Sequence, residues 1–116
     1  MPPREWRIRV TDMIEAAERA LRYTNGISYE EFSSDARTVD AVSYAIVIIG
    51  EAVRHVPEPI QLSAQDVPWV AIRGMRNRVA HEYFGIDVRV LWETVCEDLP
   101  QLLPPLRALA ARKDAP

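Results

Sequence analysis

The sequence lacks the features that define several protein classes. Cys96 is the only cysteine in 116 residues, so an intramolecular disulfide is impossible and the Cys/His spacings of zinc sites are absent. The longest apolar run, 45–50, is far shorter than the roughly 20 residues that a membrane-spanning helix requires. No apolar stretch follows the charged start of the chain, so no signal peptide is expected. These absences predict a cytoplasmic protein, and no cofactor is expected.

Positive charge is also in short supply. The chain has 14 lysines and arginines against 17 acidic residues, a formal net charge of -3. The whole molecule should therefore not attract nucleic acid, and any contact with RNA must come from a local basic patch. With 48% apolar residues the composition is too apolar for a disordered chain. The length predicts one domain over 1–116, with its core at about 6–110 and a frayed tail.

Apolar residues recur at helical spacing along most of the chain, which predicts an all-α fold. Pro57-Glu58-Pro59 is expected to be a connector. Pro100 is expected to kink the last helix, and a final helical piece is expected to begin at Pro104-Pro105. Four to five helices joined by short loops predict an antiparallel bundle. A bundle this small could bury its remaining apolar surface in a homodimer. From caps and apolar spacing, the predicted helices cover 4–23, 35–56, 66–85 and 87–109.

Two glycines fall inside predicted helices, where glycine costs about 1 kcal/mol relative to alanine. They are Gly50 in the second helix and Gly74 in the third. A close approach between helices would compensate for that cost. We therefore expect a neighbouring helix to pack closely at both positions.

The third predicted helix concentrates groups that suit RNA cleavage. On a helical wheel, the side facing the core carries Trp69, Ile72, Met75, Val79 and Tyr83. An adjoining arc of roughly 140° carries Arg73, Arg76, Asn77, Ala80 and His81. Arginine can bind phosphate oxygens and stabilise the charge of a pentacovalent transition state, and histidine can exchange a proton with a ribose hydroxyl. Because this arc holds no cluster of carboxylates, the pattern favours metal-independent attack by the 2′-OH, which restricts the substrate to RNA.

A single helix presents these groups awkwardly. One histidine cannot easily act as both acid and base, and Arg76 and His81 lie about 140° apart on an ideal wheel. A homodimer that brings two copies of this helix together would resolve both difficulties, and Ala80 is small enough to permit the approach. Asn77 could orient the imidazole or hold a phosphate oxygen. Glu51, inside the apolar second helix, is expected to be a buried carboxylate paired with an arginine of the third helix.

Spacing alone leaves other interpretations open. A histidine near a helix C-terminus is commonly a residue that stabilises the helix dipole, and arginines every three or four residues are typical of a solvated face. The same residues could belong to a non-catalytic binding module that docks a nucleotidyltransferase or holds a nucleotide through Arg73 and Arg76. A purely structural dimer is a third interpretation.

The spacing of Arg76, His81 and Tyr83 follows the motif R-x4-H-x-Y. Together with its flanking segments, this motif resembles the HepT-like proteins, which are HEPN-domain toxins of MNT–HEPN toxin–antitoxin pairs. The resemblance extends over about residues 6–106. The segments that carry it are Phe32-(x)5-Thr38-Val39-Asp40-Ala41, Ile49-Gly50-Glu51-Ala52, Pro68-Trp69, Gly74-Met75-Arg76-Asn77, His81-Glu82-Tyr83 and Trp92.

The resemblance implies both an activity and a partner. It implies a helical homodimer that cleaves RNA without a metal ion, with Arg76 and His81 as catalytic residues at the interface and Asn77 in a supporting role. Supporting roles are also expected for Arg73 and Glu51. The family further implies a nucleotidyltransferase antitoxin that neutralises the toxin, in some systems by adding AMP to the motif tyrosine, here Tyr83.

Overall fold

The chain forms a bundle of helices interrupted by one short pair of β-strands. The computed structural model describes residues 3–81 and 85–113, with side chains for 6–79 and 85–113. The all-α prediction is confirmed. In chain order the elements are α1 (Pro3–Thr24), α2 (Tyr29–Ser33), α3 (Ala36–Val53), α4 (Glu58–Leu62), α5 (Trp69–Val79), β1 (Ala80–His81), β2 (Gly85–Ile86), α6 (Val88–Glu93), a π-helical turn (Thr94–Asp98) and α7 (Leu99–Ala111).

Capping side chains determine where several helices begin. Asp35 accepts hydrogen bonds from two backbone N–H groups at the start of α3, as an N-cap residue does. Asp87 caps α6 by accepting a hydrogen bond from the backbone N–H of Val90. Ser28 and Glu31 form a capping box at α2, in which each side chain accepts from the other residue's backbone N–H. Gly26 follows α1 with φ +79°, the left-handed conformation that often ends a helix.

Two short helices lie where the sequence predicted none, α2 and α4. The expected connector at Pro57-Glu58-Pro59 is wrong in part, because α4 begins at Glu58. Pro59 falls in the first turn of this helix, where a backbone N–H has no partner within the helix. A proline can therefore begin a helix here.

A widened turn precedes Pro100, the residue at which the sequence predicted a kink. In the π-helical turn at 94–98, the backbone N–H of Leu99 bonds to the carbonyl of Thr94, five residues earlier. Pro100 has no N–H for the carbonyl four residues before it, and its ring would clash with that carbonyl in a regular α-helix. The wider turn accommodates this clash, and α7 then continues through Pro104-Pro105 without restarting.

The core lies where α1 packs along α3 and α7, and α5 packs against α3. The predicted core side of α5 is buried at all four of its described positions, 69, 72, 75 and 79. Trp92 is partly buried and packs against the core. Within the described ranges, no helix is both long and apolar enough to span a membrane. The largest buried side chains include Trp6, Met13, Phe32, Ile46, Ile49, Ile72, Met75, Leu91, Leu99 and Leu106.

The third predicted helix ends earlier than expected. Instead of continuing to Phe84-Gly85, α5 ends at Val79, and β1 pairs antiparallel with β2. Gly85 has φ +81°, a conformation outside the right-handed helical region. The backbone N–H of Asp87 bonds to the carbonyl of Val79 at 2.8 Å, so a carbonyl at the end of α5 has its partner outside the helix. The predicted boundary is therefore wrong by about five residues.

Candidate functional site

Most of the predicted site residues meet in one groove between α3 and α5. The groove has a volume of about 280 Å³. Four of its lining residues, Glu51, Arg73, Arg76 and Asn77, were predicted from the sequence as site residues. The full set that lines it is Gly50, Glu51, Arg54, Arg73, Arg76 and Asn77.

Gly50 lets α5 approach α3 closely at the centre of the groove. A Cβ atom placed on Gly50 would lie 3.4 Å from Cβ and 4.0 Å from Cδ of Arg76. The expected close approach is confirmed here. It is wrong at Gly74, where a Cβ would meet nothing within 4 Å among the described atoms. The stem of Arg76 therefore lies against α3, while the residue as a whole remains exposed.

Arg73 is oriented by a residue that sequence reasoning missed. Its Nη1 donates to Oε1 of Gln61 at 2.7 Å, and Nε2 of Gln61 donates to the carbonyl of Val56 at 2.9 Å. Both ends of the Gln61 amide are thus engaged, which fixes the direction of the Arg73 guanidinium. No sequence signal marked Gln61, because its role depends on α4, which the sequence did not predict.

Glu51 differs from its prediction in both burial and partner. Its side chain is 58% exposed, and it pairs with Arg54 on its own helix at 3.4 Å. The expected buried pair with an arginine of α5 is therefore wrong. The reason is that Glu51 faces the groove, where water can solvate the carboxylate and no cross-helix partner is needed. Arg54 adds a third guanidinium to the groove.

His81 does not extend the helical arc on which it was predicted. Its backbone lies in β1, opposite Gly85, so the 140° separation on a helical wheel does not apply and that part of the prediction is wrong. The side chain of His81 and the whole of Tyr83 lie outside the described parts of the chain. The convergence of Arg76 and His81 on one phosphate remains a prediction.

The groove is locally basic on an acidic molecule. Three arginines face one carboxylate, which gives a local charge of +2, whereas the chain as a whole carries -3. Guanidinium groups bind phosphate oxygens as planar donor forks, and the Asn77 amide adds further donors. Within the described residues, no three His, Cys, Asp or Glu side chains lie together as a metal site would require. The arrangement suits a phosphodiester.

Comparisons with known proteins agree with the motif. Residues 13–109 match the family described as Ribonuclease HepT-like. The chain is 43% identical over 91 residues to "Probable ribonuclease HepT" of Thermococcus cleftensis, covering 78% of this chain and 83% of that protein. It is 37% identical over 90 residues to "Putative RNase TTE0752" of Caldanaerobacter subterraneus subsp. tengcongensis, covering 78% and 80%. No solved structure matches significantly. The resemblance inferred from the motif is confirmed.

Proposed function

This chain belongs to the HepT-like ribonuclease family, and on that premise we propose that it is a metal-independent endoribonuclease whose site includes the groove between α3 and α5. The observation that carries the proposal is the placement of Arg76. Its stem rests against Gly50 of α3, and its neighbours in the groove include Arg73 and Asn77. Such an arrangement can hold the anionic phosphate in place before the additional charge of the transition state develops.

In the proposed reaction, Arg76 binds the non-bridging oxygens of the scissile phosphate. The ribose 2′-OH attacks phosphorus as His81 accepts its proton. The new bond joins phosphorus to the 2′-oxygen, and the bond from phosphorus to the 5′-oxygen breaks. A second histidine donates the proton that the leaving 5′-oxygen needs, which leaves a cyclic phosphate and a free 5′-OH. Arg76 stabilises the additional negative charge of the transition state.

The second histidine would come from a second copy of the chain. Ala41, Tyr44 and Ile48 precede Glu51 on one face of α3, at spacings that bring them into line with the groove. Tyr44 is 66% exposed and Ile48 is partly buried. A homodimer formed over this face would cover these apolar groups and place two grooves side by side. This is the geometry in which two copies of Arg76 and His81 could share one RNA.

Total RNA incubated with purified protein in a chelator tests the activity. We expect the wild-type protein to cut RNA, and His81→Ala and Arg76→Ala to lose at least about 100-fold in rate, because each variant removes a group that acts in the transition state. Arg22→Ala removes an exposed arginine of α1 outside the groove and is the matched control.

Identical RNA profiles from wild-type protein and His81→Ala would contradict the catalytic role. Binding of RNA by the wild-type protein without cleavage would favour the non-catalytic binding module instead. An active monomer at high dilution would contradict the shared site.

The proposal includes a toxin–antitoxin role in the cytoplasm, with a nucleotidyltransferase that adds AMP to Tyr83. A phosphate attached to Tyr83, two residues after His81 in the motif, would repel the RNA by like charge. Incubation with such a partner and ATP should transfer one adenylyl group to the Tyr83 hydroxyl, with release of pyrophosphate, and abolish cleavage of RNA by the wild-type chain. Mass spectrometry should show no addition to Tyr83→Phe, and modification of that variant would contradict the assignment.

A further inference from the structure

A second, larger cavity opens on the other side of Arg73. It has a volume of about 440 Å³ and lies between α4 and the first turn of α5. That volume falls in the range of about 300–1,000 Å³ typical of small-molecule sites. Arg73 lines both this cavity and the groove, so the two spaces share one guanidinium as a wall.

The surface of this cavity is largely apolar. Leu62 is 62% exposed and Val70 is 75% exposed, and both line it. Trp69 lies deeper, and its indole N–H donates to the carbonyl of Ala64 at 3.0 Å, which fixes the plane of the ring. Large apolar side chains that remain exposed around a fixed aromatic ring are typical of a surface that another molecule covers.

Four polar or charged side chains line the cavity beside its apolar ones, and they are Glu58, Gln61, Gln65 and Arg73. Gln65 is exposed there and can both donate and accept a hydrogen bond through its amide. The Gln61 amide donates to the carbonyl of Val56 and accepts from Arg73, so it positions the guanidinium and does not bind a ligand. Glu58, also exposed, adds a carboxylate that can accept hydrogen bonds from a base. The cavity thus offers an apolar surface, a planar cation, one amide and one carboxylate.

We propose that this cavity binds an unpaired nucleobase of the RNA, next to the nucleotide whose phosphate lies in the groove. The inference rests on the proposed function for its substrate class. A base has two apolar faces and a polar edge, which match the apolar wall and Gln65. Proteins recognise single-stranded RNA by stacking bases on aromatic or guanidinium planes and bonding to their edges. Arg73 would then contact the base on one side and the phosphate on the other.

Titration of the wild-type protein with the four nucleoside 5′-monophosphates tests binding directly. The readout is the NMR signal of the Trp69 indole N–H, assigned with Trp69→Phe, and Trp6 provides an internal control in the core. We expect the Trp69 signal to move with at least one nucleotide and to stay in place with ribose 5-phosphate, which has no base.

Two variants assign the contacts. Leu62→Ala and Gln65→Ala should each weaken binding of the nucleotide by roughly five- to tenfold, the effect expected for the loss of an apolar contact or of one hydrogen bond. Ile8→Ala, which truncates an exposed apolar residue of α1, is the matched control and should change nothing. In cleavage of a randomised RNA, the same two variants should relax the base preference beside the cut site.

The outcomes separate this inference from the function on which it rests. If the wild-type protein cuts RNA but no nucleotide moves the Trp69 signal, the base site is wrong and the ribonuclease stands. If nucleotides bind at Trp69 but RNA is not cut, the base site stands and the catalytic proposal fails. If Leu62→Ala changes self-association or capture of a nucleotidyltransferase and leaves nucleotide binding unchanged, the cavity is a protein interface and the inference is overturned.

Discussion

Among single residues, Asp35 shows how one carboxylate can determine where a helix starts. It accepts the hydroxyl hydrogen bond of Thr38 at 2.7 Å and two backbone N–H bonds, from Arg37 and Thr38. The Thr38 hydroxyl bond, followed by the backbone bond from Thr38, holds the pKa of Asp35 below its ordinary value. The sequence predicted a helix from 35 onward, because a short polar side chain before an apolar periodic segment is the usual start of a helix.

The lowered pKa of Asp35 predicts a pH dependence of stability. A carboxyl whose pKa is lower in the folded state stabilises the fold above its unfolded pKa of ~4, and that contribution is lost as pH falls through the folded pKa. Asp35→Asn should therefore be less stable than the wild-type protein near neutral pH, with the difference shrinking below ~4. Urea unfolding followed by circular dichroism from pH 7 to pH 2 measures this difference. Thr38→Val removes only the hydroxyl bond and should show the same trend with smaller amplitude, whereas a gap that widens in acid would contradict the assignment.

Among the elements, α5 shows what periodicity can and cannot predict. Its buried face follows from apolar spacing, which placed Arg73, Arg76 and Asn77 on a shared exposed face. Its start was predicted at 66 and lies at Trp69. The same spacing continues past Val79, although the helix does not. The end of α5 depends on a hydrogen bond from Asp87 and on strand pairing, and a local pattern cannot detect either contact. Gln61 was missed for the same reason, since its partners are set by tertiary packing.

The approach of α3 to α5 predicts different effects at the two helical glycines. Gly74→Ala should raise the free energy of unfolding by up to about 1 kcal/mol, because alanine is the better helix former and nothing lies within 4 Å. Gly50→Ala should also be tolerated, since its new Cβ would meet Arg76 at 3.4 Å. The longer side chain of Gly50→Leu must displace Arg76 and should lower RNA cleavage about 10- to 100-fold with the fold retained. Full activity in Gly50→Leu would contradict the role of this contact.

Over the whole molecule, the local charge of the groove is opposite in sign to the net charge of the chain. The groove carries three of the 14 lysines and arginines with one acidic residue, while the chain is net negative. Away from the groove, RNA approaches a molecule whose net charge is negative, like its own. Binding should therefore depend on a few local contacts, and the acidic average should disfavour non-specific association.

This distribution predicts a modest salt dependence of RNA binding. Each phosphate neutralised on a single strand contributes about -0.7 to the slope of log K against log salt, so three arginines give a slope of about -2 for each groove. Arg73→Ala should make the slope shallower by about 0.7, and Arg22→Ala should leave it unchanged. Each arginine variant is made in the His81→Ala protein, so that the RNA is not cut. Filter binding of a short RNA over a range of salt concentrations then measures the slopes. Equal salt slopes for Arg73→Ala and Arg22→Ala would mean that the RNA does not bind in the groove.

The backbone bond between Asp87 and Val79 has a consequence for the spacing of the motif. Arg76 is held by the packing of one helix against another, whereas the backbone of His81 is held by strand pairing beside the start of α6. The separation of the two backbones is thus not set by the pitch of a single helix. A shift of α6 would act on the histidine backbone through the paired strand at Gly85, whereas Arg76 rests against α3. Sequence changes far from the RNA could in this way tune how fast it is cut.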